Sequence, residues 1–503
     1  MTGTPADRIP VIVGVGEFSD HPKELTDGLE PLALIEHALK CAEQDSGAKL
    51  LSEIDSLDIV NFLSWRYSDP AKQLSDRLGI APTHAHYGPV GGESPIRFIH
   101  EAAKRIARGE ASVAAITGAE AQSTATKAER AGMTLPWTPF AHDAPEPLRG
   151  ANYQKPMATT LGVAKPVTVY PFYEAASAAH WGQTPRQALA ESGELWSRYA
   201  AVAAQNPQAW LKHAYMPEEI TTPTADNRLI AWPYTKLMVA NPMVNQAAAI
   251  LVTSLAKARA AGIAEDRMVY IHGGASAEEP RDYLDRDQYV ESHAQNAVLK
   301  AAMTLADGAA FDAIELYSCF PVVPKMARRT LKLGADVQPT VAGGLTFFGA
   351  PLNDYMAHAA CAMVRKLRAG AQLGLLYGQG GFVTKHHALV LSRQAGEALA
   401  QDTDVQAEAD RNRGAVPAFV TEASGTGTVE SFTVIYGRNN VAEHGVVILR
   451  TADNARALAR VPVQDTATLA HLLDMDRSPV GSAGKISTAA DGVLEWKAGP
   501  QTL

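Results

Sequence analysis

The first candidate reaction site lies where a glycine-rich turn, GPVGGESP at Gly88–Pro95, runs into a helical pattern. Backbone N–H groups at the start of a helix have no partner within the helix and can stabilise negative charge. Gly92 therefore offers its N–H as an oxyanion donor, and its missing side chain is expected to leave room for a bulky substrate. Ser94 supplies the nearest hydroxyl beside that substrate. The alternative is a plain tight turn before a helix.

Tyrosine and cysteine stand close together in the second candidate segment, ELYSCFP at Glu315–Pro321. Tyr317 is predicted to be catalytic because a phenol can donate a proton in one step and accept one in the next. Cys319 is a second catalytic candidate, and its alternative role is that of a small buried side chain at the end of a strand.

The third candidate segment, GGLTFFGAPLNDYMAHA at Gly343–Ala359, ends in a helical pattern that carries a tyrosine and a histidine. His358 is predicted to face the site and act there as acid or base, or else to lie in the core with a backbone partner. Tyr355 is a further candidate for proton transfer. Asn353 and Asp354 suit the capping of the helix that follows.

The fourth candidate segment, LLYGQGGFVTKHH at Leu375–His387, places a tyrosine before, and two histidines after, a glycine-rich turn. Tyr377 is a candidate for proton transfer. Alternate residues of a strand face opposite sides, so at most one of His386 and His387 can point into the site. His386 is the one we predict to be catalytic.

The elements that must position these segments alternate between strand and helix. Apolar runs such as Ile9–Val15 and Val113–Ile116 are typical of buried strands, and amphipathic runs between them predict helices. The order of turn, helix, glycine and strand in Gly88–Glu120 recurs in Gly349–Gly381, which indicates an internal duplication. The pattern predicts an α/β fold built from two βαβ-rich halves.

Composition suggests where the remaining domains lie. The predicted divisions are an N-terminal half at 1–124, an insertion at 125–240, a C-terminal half at 241–392, a polar linker at 393–415 and a small all-β barrel at 416–503. The insertion is rich in proline and aromatic residues, and long insertions in compact folds are usually functional. It is expected to cover a substrate, or alternatively to pack on the core without a ligand. The short strands of the last segment predict an OB-like barrel that docks a partner or serves as a lid.

The four segments, in this order and spacing, resemble the signature segments of the thiolase superfamily over residues 1–392, and most of all its sterol-carrier type. In that family a nucleophilic cysteine, a histidine and an acid–base cysteine stand at the positions of Gly92, Ala350 and Tyr377. All three are replaced here, so the resemblance excludes the usual acyl-cysteine mechanism. Gly380 corresponds to the glycine whose N–H completes an oxyanion hole.

The resemblance also implies a five-layer αβαβα arrangement of the two halves and an insertion that cradles CoA. The predicted substrate and oxyanion set is Gly92, Ser94, Phe348, Ala350, Tyr355, Tyr377 and Gly380. The predicted catalytic set is Tyr317, Cys319, His358 and His386. A homodimer is possible, because the family usually forms at least dimers.

Composition excludes several classes of function. A chain of 503 residues with a net charge of −9 is a poor partner for nucleic acid, which requires a basic face. No run of 18 apolar residues predicts a membrane span. Three cysteines without a secretory leader predict a cytoplasmic protein. The zinc spacing CxxC is absent from the sequence, so no metal is expected.

The predicted function is that of a CoA-dependent acyltransferase-type enzyme or C–C lyase. It would make or cleave a carbon–carbon bond of a β-keto acid or acyl-CoA, as in a retro-Claisen reaction, without an acyl-cysteine. CoA or acetyl-CoA would be a substrate, with no tightly bound cofactor. The alternatives are a non-catalytic protein that binds acyl-CoA or lipid, and a subunit of an acyl-transfer complex.

Overall fold

The computed structural model describes residues 5–396 and 398–500. Both ends of the chain, in the first and last predicted domains, and residue 397 of the predicted linker therefore lie outside the described residues. Within the described part, no helix is both long and apolar enough to cross a membrane.

The N-terminal segment alternates strands with helices. Gly109 ends the helix that follows Gly92, with a φ of 72° that residues bearing a Cβ rarely adopt. The elements of this segment are β1 Pro10–Ser19, α1 Pro31–Ser46, β2 Ser56–Ile59, α2 Pro70–Leu78, β3 His84–Tyr87, α3 Ser94–Arg108, β4 Val113–Ala121 and α4 Gln122–Ala131.

The insertion that follows is mostly helical. Its longest helix begins with a capping box, in which Thr184 and Gln187 each bond the other's backbone N–H. The elements are α5 Pro156–Thr160, α6 Pro166–His180, α7 Pro185–Gln205, α8 Pro217–Thr221, β5 Leu229–Ala231 and β6 Tyr234–Thr235.

The second half repeats the alternation of strand and helix. Its elements are β7 Asn245–Ser254, α9 Leu255–Ala260, β8 Val269–Glu278, α10 His293–Leu305, β9 Ala313–Leu316, α11 Val322–Thr330, α12 Tyr355–Arg368, β10 Leu373–Gly380 and β11 Lys385–Ser392. A short π-helical turn, Gly344–Phe348, precedes α12.

The nine strands of the two halves follow the order β3-β2-β4-β7-β1-β8-β11-β10-β9. The halves meet at β1 and β8, which pair only through Val11 with Tyr270 and Ile12 with Val269. The helices α3 and α12 touch strands of both halves, while α1 packs on the first half and α10 on the second. This confirms the predicted duplicated αβαβα fold, whose central helical layer is formed by α3 and α12.

The strand β7 completes the first half, although it follows the insertion in sequence. It pairs antiparallel with β4 on one side and with β1 on the other. Residues 247–252 of β7 are fully buried. Without β7, the facing edges of β1 and β4 would have unpaired backbone groups in the core. The predicted boundary at residue 241 assigns it to the second half, whereas its hydrogen bonds lie in the first.

The C-terminal strands form a small closed barrel, as predicted, and within the described residues this barrel has five strands. Its order is β12-β13-β14-β16-β15, and β12 pairs with both β13 and β15 to close the ring. The insertion extends this sheet, because Ala231 of β5 pairs with Ile435 of β12. The elements are α13 Gln406–Asn412, β12 Gly425–Tyr436, β13 Ala442–Thr451, β14 Arg456–Pro462, α14 Thr466–Leu472, β15 Ala483–Thr488 and β16 Leu494–Ala498.

Candidate functional site

A mostly apolar cavity of about 270 Å³ lies where the four candidate segments meet. Gly92 lines it from the turn before α3, and Ala350 from the turn before α12. Tyr317 and Cys319 contribute from the loop after β9, and Gly380 from the end of β10. The fold therefore brings at least one residue of each segment to a single cavity. A ligand site is typically an apolar cavity of this kind with a few polar groups.

The hydroxyl of Tyr317 fills the space that a side chain at position 92 would need. A Cβ built on Gly92 would overlap that hydroxyl and lie 2.6 Å from the backbone oxygen of Gln379. Only glycine fits there without movement of its neighbours. The expectation that Gly92 leaves room for a bulky substrate is therefore wrong, because Tyr317 already takes that room.

Tyr317 presents a neutral hydroxyl to the cavity. Its side chain is buried, with 6% of its surface exposed, and no described group forms a hydrogen bond with the hydroxyl. Burial, with smaller contributions from Cys319 and Glu93, holds the pKa of Tyr317 well above its ordinary value. At neutral pH the group is a hydrogen-bond donor and not a phenolate.

Two polar side chains that the sequence reasoning missed sit beside Cys319. Gln379 Nε2 donates to Cys319 Sγ at 3.2 Å and to Tyr170 Oη at 2.7 Å, and Tyr170 donates to the Gly381 oxygen at 2.9 Å. Burial raises the pKa of Cys319 to about 12, so this thiol is protonated and poorly nucleophilic. Gln379 could have been predicted from the sequence, because it is a polar residue between two glycines of the fourth segment. Tyr170 could not, because the insertion contains many other aromatic residues.

The glycine turns are packed directly against each other at the cavity. Gly91 N–H donates to Asn353 Oδ1 at 3.0 Å, and Asn353 Nδ2 donates to the Asn61 oxygen at 2.9 Å. A Cβ built on Gly380 would lie 3.0 Å from the Gly92 nitrogen. Asn353 thus holds the Gly91 turn instead of capping α12. Gly92 N–H has no hydrogen-bond acceptor among the described residues, which leaves it available to a ligand oxygen.

Tyr377 and His386 lie in a buried hydrogen-bond chain and do not line the cavity. Gln295 Nε2 donates to Tyr377 Oη at 2.8 Å, and Tyr377 is 2.8 Å from His386 Nδ1. His386 Nε2 lies 3.2 Å from Ser292 Oγ. Burial lowers the pKa of His386 to about 4, so it is neutral at pH 7. His387 faces away from His386 and bonds His100 at 3.2 Å.

His358 also lies away from the cavity. Its Nδ1 is 2.7 Å from Glu17 Oε1, and its Nε2 is 3.7 Å from Asp354 Oδ2. Burial opposes ionisation of Glu17, yet the bonds from His358 and Arg365 hold the pKa of this carboxyl below its ordinary value. His358 is therefore a core histidine, which was the second of the two predicted positions. Its partner is a carboxylate and not the predicted backbone group.

Three further predicted site residues support the cavity from behind. Tyr355 Oη donates to Glu315 Oε1 at 2.7 Å and accepts from the Gly344 N–H at 2.9 Å. Phe348 packs on the rings of Tyr355 and His358. Ser94 is fully buried, with its hydroxyl 3.4 Å from the Pro89 oxygen. None of these three side chains lines the cavity.

One group of side chains in the described part has the composition of a metal site, although no metal was expected. Asp58, His84 and His86 bring their ligand atoms within 4.8 Å of one another on β2 and β3. The other oxygen of Asp58 pairs with Arg105, whose charge opposes a cation there. The group lies at the outer edge of the sheet and does not line the cavity.

Comparisons with known proteins agree with this architecture. Residues 404–492 match the family model of the thiolase-like protein type 1 additional C-terminal domain. The structure of a monomeric SCP2-thiolase like protein type 1 from Mycobacterium smegmatis superposes with a TM-score of 0.81 at 28% identity, covering 98% of this chain and 100% of that one. No curated protein sequence matches the chain.

More distant structures share the fold. The Ltp2-ChsH2(DUF35) aldolase has a TM-score of 0.59 at 19% identity over 77% of this chain and 98% of that one. Human mitochondrial 3-ketoacyl-CoA thiolase has a TM-score of 0.57 at 15% identity over 78% of this chain and 100% of that one. At these identities the likeness establishes the thiolase fold, while activity depends on the residues of the site.

Proposed function

Because this chain is a thiolase-fold protein with the additional C-terminal domain of thiolase-like protein type 1, we propose that it acts on an acyl-CoA or β-keto thioester. The reaction makes or breaks the carbon–carbon bond next to the thioester carbonyl, without an acyl-cysteine. The observation that carries the proposal is the neutral Tyr317 hydroxyl, which stands where the side chain of a nucleophile at position 92 would stand.

In the cleavage direction, the sulfur of CoA or a water molecule adds to the β-carbonyl carbon. The bond between the α- and β-carbons then breaks, and its electron pair forms the enolate of the thioester. Tyr317 O–H and Gly92 N–H donate to the enolate oxygen as its charge develops. The proton of the nucleophile passes to the β-carbonyl oxygen during the addition and forms a hydroxyl. When the carbon–carbon bond breaks, Tyr317 gives its proton to the α-carbon and takes the proton of that hydroxyl, which restores the phenol.

Among the relatives, the aldolase and the 3-ketoacyl-CoA thiolase are enzymes by their names, and both act at carbon–carbon bonds. This supports chemistry of the same class on this fold. A hydrogen-bonding tyrosine in a largely apolar cavity is suited to such a reaction, because a desolvated donor stabilises developing charge more strongly than one in water.

A specific observation favours a second candidate, a non-catalytic protein that binds acyl-CoA. The titratable side chains among the described lining residues are Tyr170, Tyr317 and Cys319. Burial raises the pKa of each, so none of them is a base at neutral pH. A binding protein needs donors to a carbonyl, and it needs no base.

The test compares Tyr317→Phe with Tyr377→Phe as a matched control. Products of a panel of β-ketoacyl-CoA esters with CoA are followed by mass spectrometry. Tyr317→Phe should lower kcat by roughly 10²- to 10³-fold, the usual effect of losing one oxyanion donor. It should leave the melting temperature unchanged, because its hydroxyl has no described partner. Tyr377→Phe should instead cost about 1–3 kcal/mol of stability, because Gln295 Nε2 and His386 Nδ1 lose their bonds to the buried hydroxyl, and it should have little effect on kcat.

Three outcomes separate the candidates. Turnover by the parent that Tyr317→Phe lowers by at least roughly 10²-fold supports the enzyme. Stabilisation by CoA esters without any turnover would show that the protein is a binder. Absence of both binding and turnover across the panel would contradict both candidates.

A further inference from the structure

A second cleft, of about 290 Å³, lies directly beside the cavity and shares Val90 and Gly381 with it. Four cationic side chains line this cleft against a single carboxylate, Glu278. The cations are Arg97, Arg149, Arg281 and Lys385. In a chain whose net charge is −9, so many positive groups in one concave wall make a local field that attracts anions.

Two of these cations form no ion pair with a carboxylate, although the charge of Arg149 acts on Glu120 from a greater distance. Arg97 Nε is buried without a hydrogen bond, and neither Arg97 nor Arg149 forms an ion pair within the described part of the chain. The other two are paired, Arg281 with Glu278 at 3.1 Å and Lys385 with Glu93 at 3.3 Å. The two terminal nitrogens of Arg97 are not among the buried atoms and donate no hydrogen bond to the described residues, so they are open to a bound oxyanion.

The wall that carries these arginines is held in place. Arg97 lies on α3, five residues after Gly92, so the cleft and the cavity are built on the same helix. Gln154 Nε2 donates to the Arg281 oxygen at 3.2 Å. A Cβ built on Gly150 would lie 2.9 Å from the Phe382 ring, which shows how closely the insertion packs beside Arg149. The guanidinium groups therefore project from fixed backbone.

We propose that this cleft binds the oxyanion end, a phosphate or a carboxylate, of the ligand whose carbonyl occupies the cavity. Arg97 and Arg149 supply the planar forked donors that match such groups. The inference rests on the proposed function for the identity of the ligand in the cavity, while the anion site rests on the residues of the cleft. The oxyanion belongs either to the phosphates of CoA or to a carboxylate at the far end of the acyl chain.

The experiment titrates inorganic pyrophosphate, CoA, pantetheine and glutarate by calorimetry. The proteins are the parent, Arg97→Gln, Arg97→Lys and Arg149→Gln, with Arg438→Gln as a control that removes one exposed arginine from the barrel. Pyrophosphate should bind the parent and weaken as salt rises. Arg97→Gln and Arg149→Gln should each weaken it at least tenfold. Arg97→Lys should recover part of the affinity, and Arg438→Gln should match the parent.

The ligands identify the source of the oxyanion. An Arg97-dependent preference for CoA over pantetheine assigns the cleft to the CoA phosphates, and Arg97-dependent binding of glutarate assigns it to an acyl carboxylate. Equal affinities in Arg97→Gln, Arg149→Gln and Arg438→Gln would overturn the proposal, as would a parent that binds none of the anions. Arg149 is exposed, so Arg149→Gln decides the matter even if Arg97→Gln fails to fold.

The same titrations separate this proposal from the proposed function. Binding of pyrophosphate by a protein that binds no thioester would keep the anion site and remove the function. Binding of a pantetheine thioester by a protein that binds none of the anions would keep the function and remove the anion site.

Discussion

At the scale of single residues, the glycine at position 92 and the tyrosine of the cavity depend on each other. Gly92 is required because the Tyr317 hydroxyl and the Gln379 backbone oxygen occupy the space of its Cβ. A thiol at position 92 and a phenol at position 317 therefore exclude each other. At this point the cavity presents a hydroxyl donor and has no thiol.

A cysteine introduced at position 92 should destabilise the protein. We expect Gly92→Cys to lower the free energy of unfolding by about 1–3 kcal/mol, as overpacked cores do. In a Tyr317→Ala background the same change should cost less, because the colliding ring is gone. Urea unfolding of the parent, both single variants and the double variant measures this coupling. Strictly additive effects would contradict the steric relation between the two positions.

Whether a predicted site residue reaches the cavity depends on the direction in which its side chain points. Tyr317, Cys319, Gly92, Ala350 and Gly380 line the cavity, as residues at the ends of strands and starts of helices often do. The remaining candidates point into neighbouring layers of the fold: Ser94, Phe348, Tyr355, His358, Tyr377 and His386. Some of their partners come from distant parts of the chain, such as Glu17 for His358 and Gln295 for Tyr377, and local patterns do not show such contacts. The roles predicted for all of these residues remain predictions.

At the scale of elements, the barrel is bound to the core and does not stand apart from it. Arg456 at the start of β14 is fully buried and donates to the Leu284 oxygen at 2.8 Å. Its guanidinium also pairs with Glu430 and lies 4.9 Å from the Tyr289 ring centre. On the other side, Ser431 of β12 donates to the Phe172 oxygen of α6. The barrel thus helps to position the insertion helix that carries Tyr170.

Two arginines of the same strand provide a matched test of this interface. Arg456→Met should lower the free energy of unfolding by about 2–4 kcal/mol, because it leaves the carbonyl oxygens of Leu284 and Arg286 without their donor, while Glu430 keeps its pair with Arg450. Arg460→Met removes a more exposed arginine, paired with Asp491 and Glu495, and should change stability far less. Thermal and urea unfolding of both variants measure the difference. Equal effects would show that the barrel is not anchored through Arg456.

At the scale of the whole molecule, buried ionisable groups with opposite pKa shifts set the dependence of stability on pH. Burial raises the pKa of Glu315 to about 7, whereas burial lowers the pKa of His386 to about 4. Between pH 4.5 and 7 the folded state keeps a proton on Glu315 that the unfolded state has lost. Stability conferred by this group therefore falls as pH rises through that window. His386 acts in the opposite direction between pH 4 and 6.5.

Replacing Glu315 should remove its share of this dependence. We expect the unfolding free energy of Glu315→Gln, relative to the parent, to increase by about 3 kcal/mol from pH 4.5 to pH 7 and then to level off. Urea unfolding at several pH values measures this difference. Glu194 is exposed, so Glu194→Gln serves as a control, and its unfolding free energy should depend on pH as that of the parent does. A pH-independent difference between Glu315→Gln and the parent would contradict the shift assigned to Glu315.

The sequence by itself determined the class of fold and what the site lacks. Alternating apolar and amphipathic runs require a layered α/β fold, because each element must bury one face. The glycine turns located four segments, and the glycine at residue 92, where the resembled family has a nucleophilic cysteine, led us to predict a reaction without an acyl-cysteine. A small C-terminal barrel followed from short strands at close spacing.

Only the tertiary structure decided which polar groups face the cavity and which are held behind it. His358 bonds Glu17, a residue 341 positions earlier, and Tyr317 fills the space beside Gly92 across the interface of the two halves. Such neighbours depend on how layers stack, and layer contacts join residues far apart in the chain. Periodicity predicts the face of an element on which a residue lies, and packing decides what that face meets.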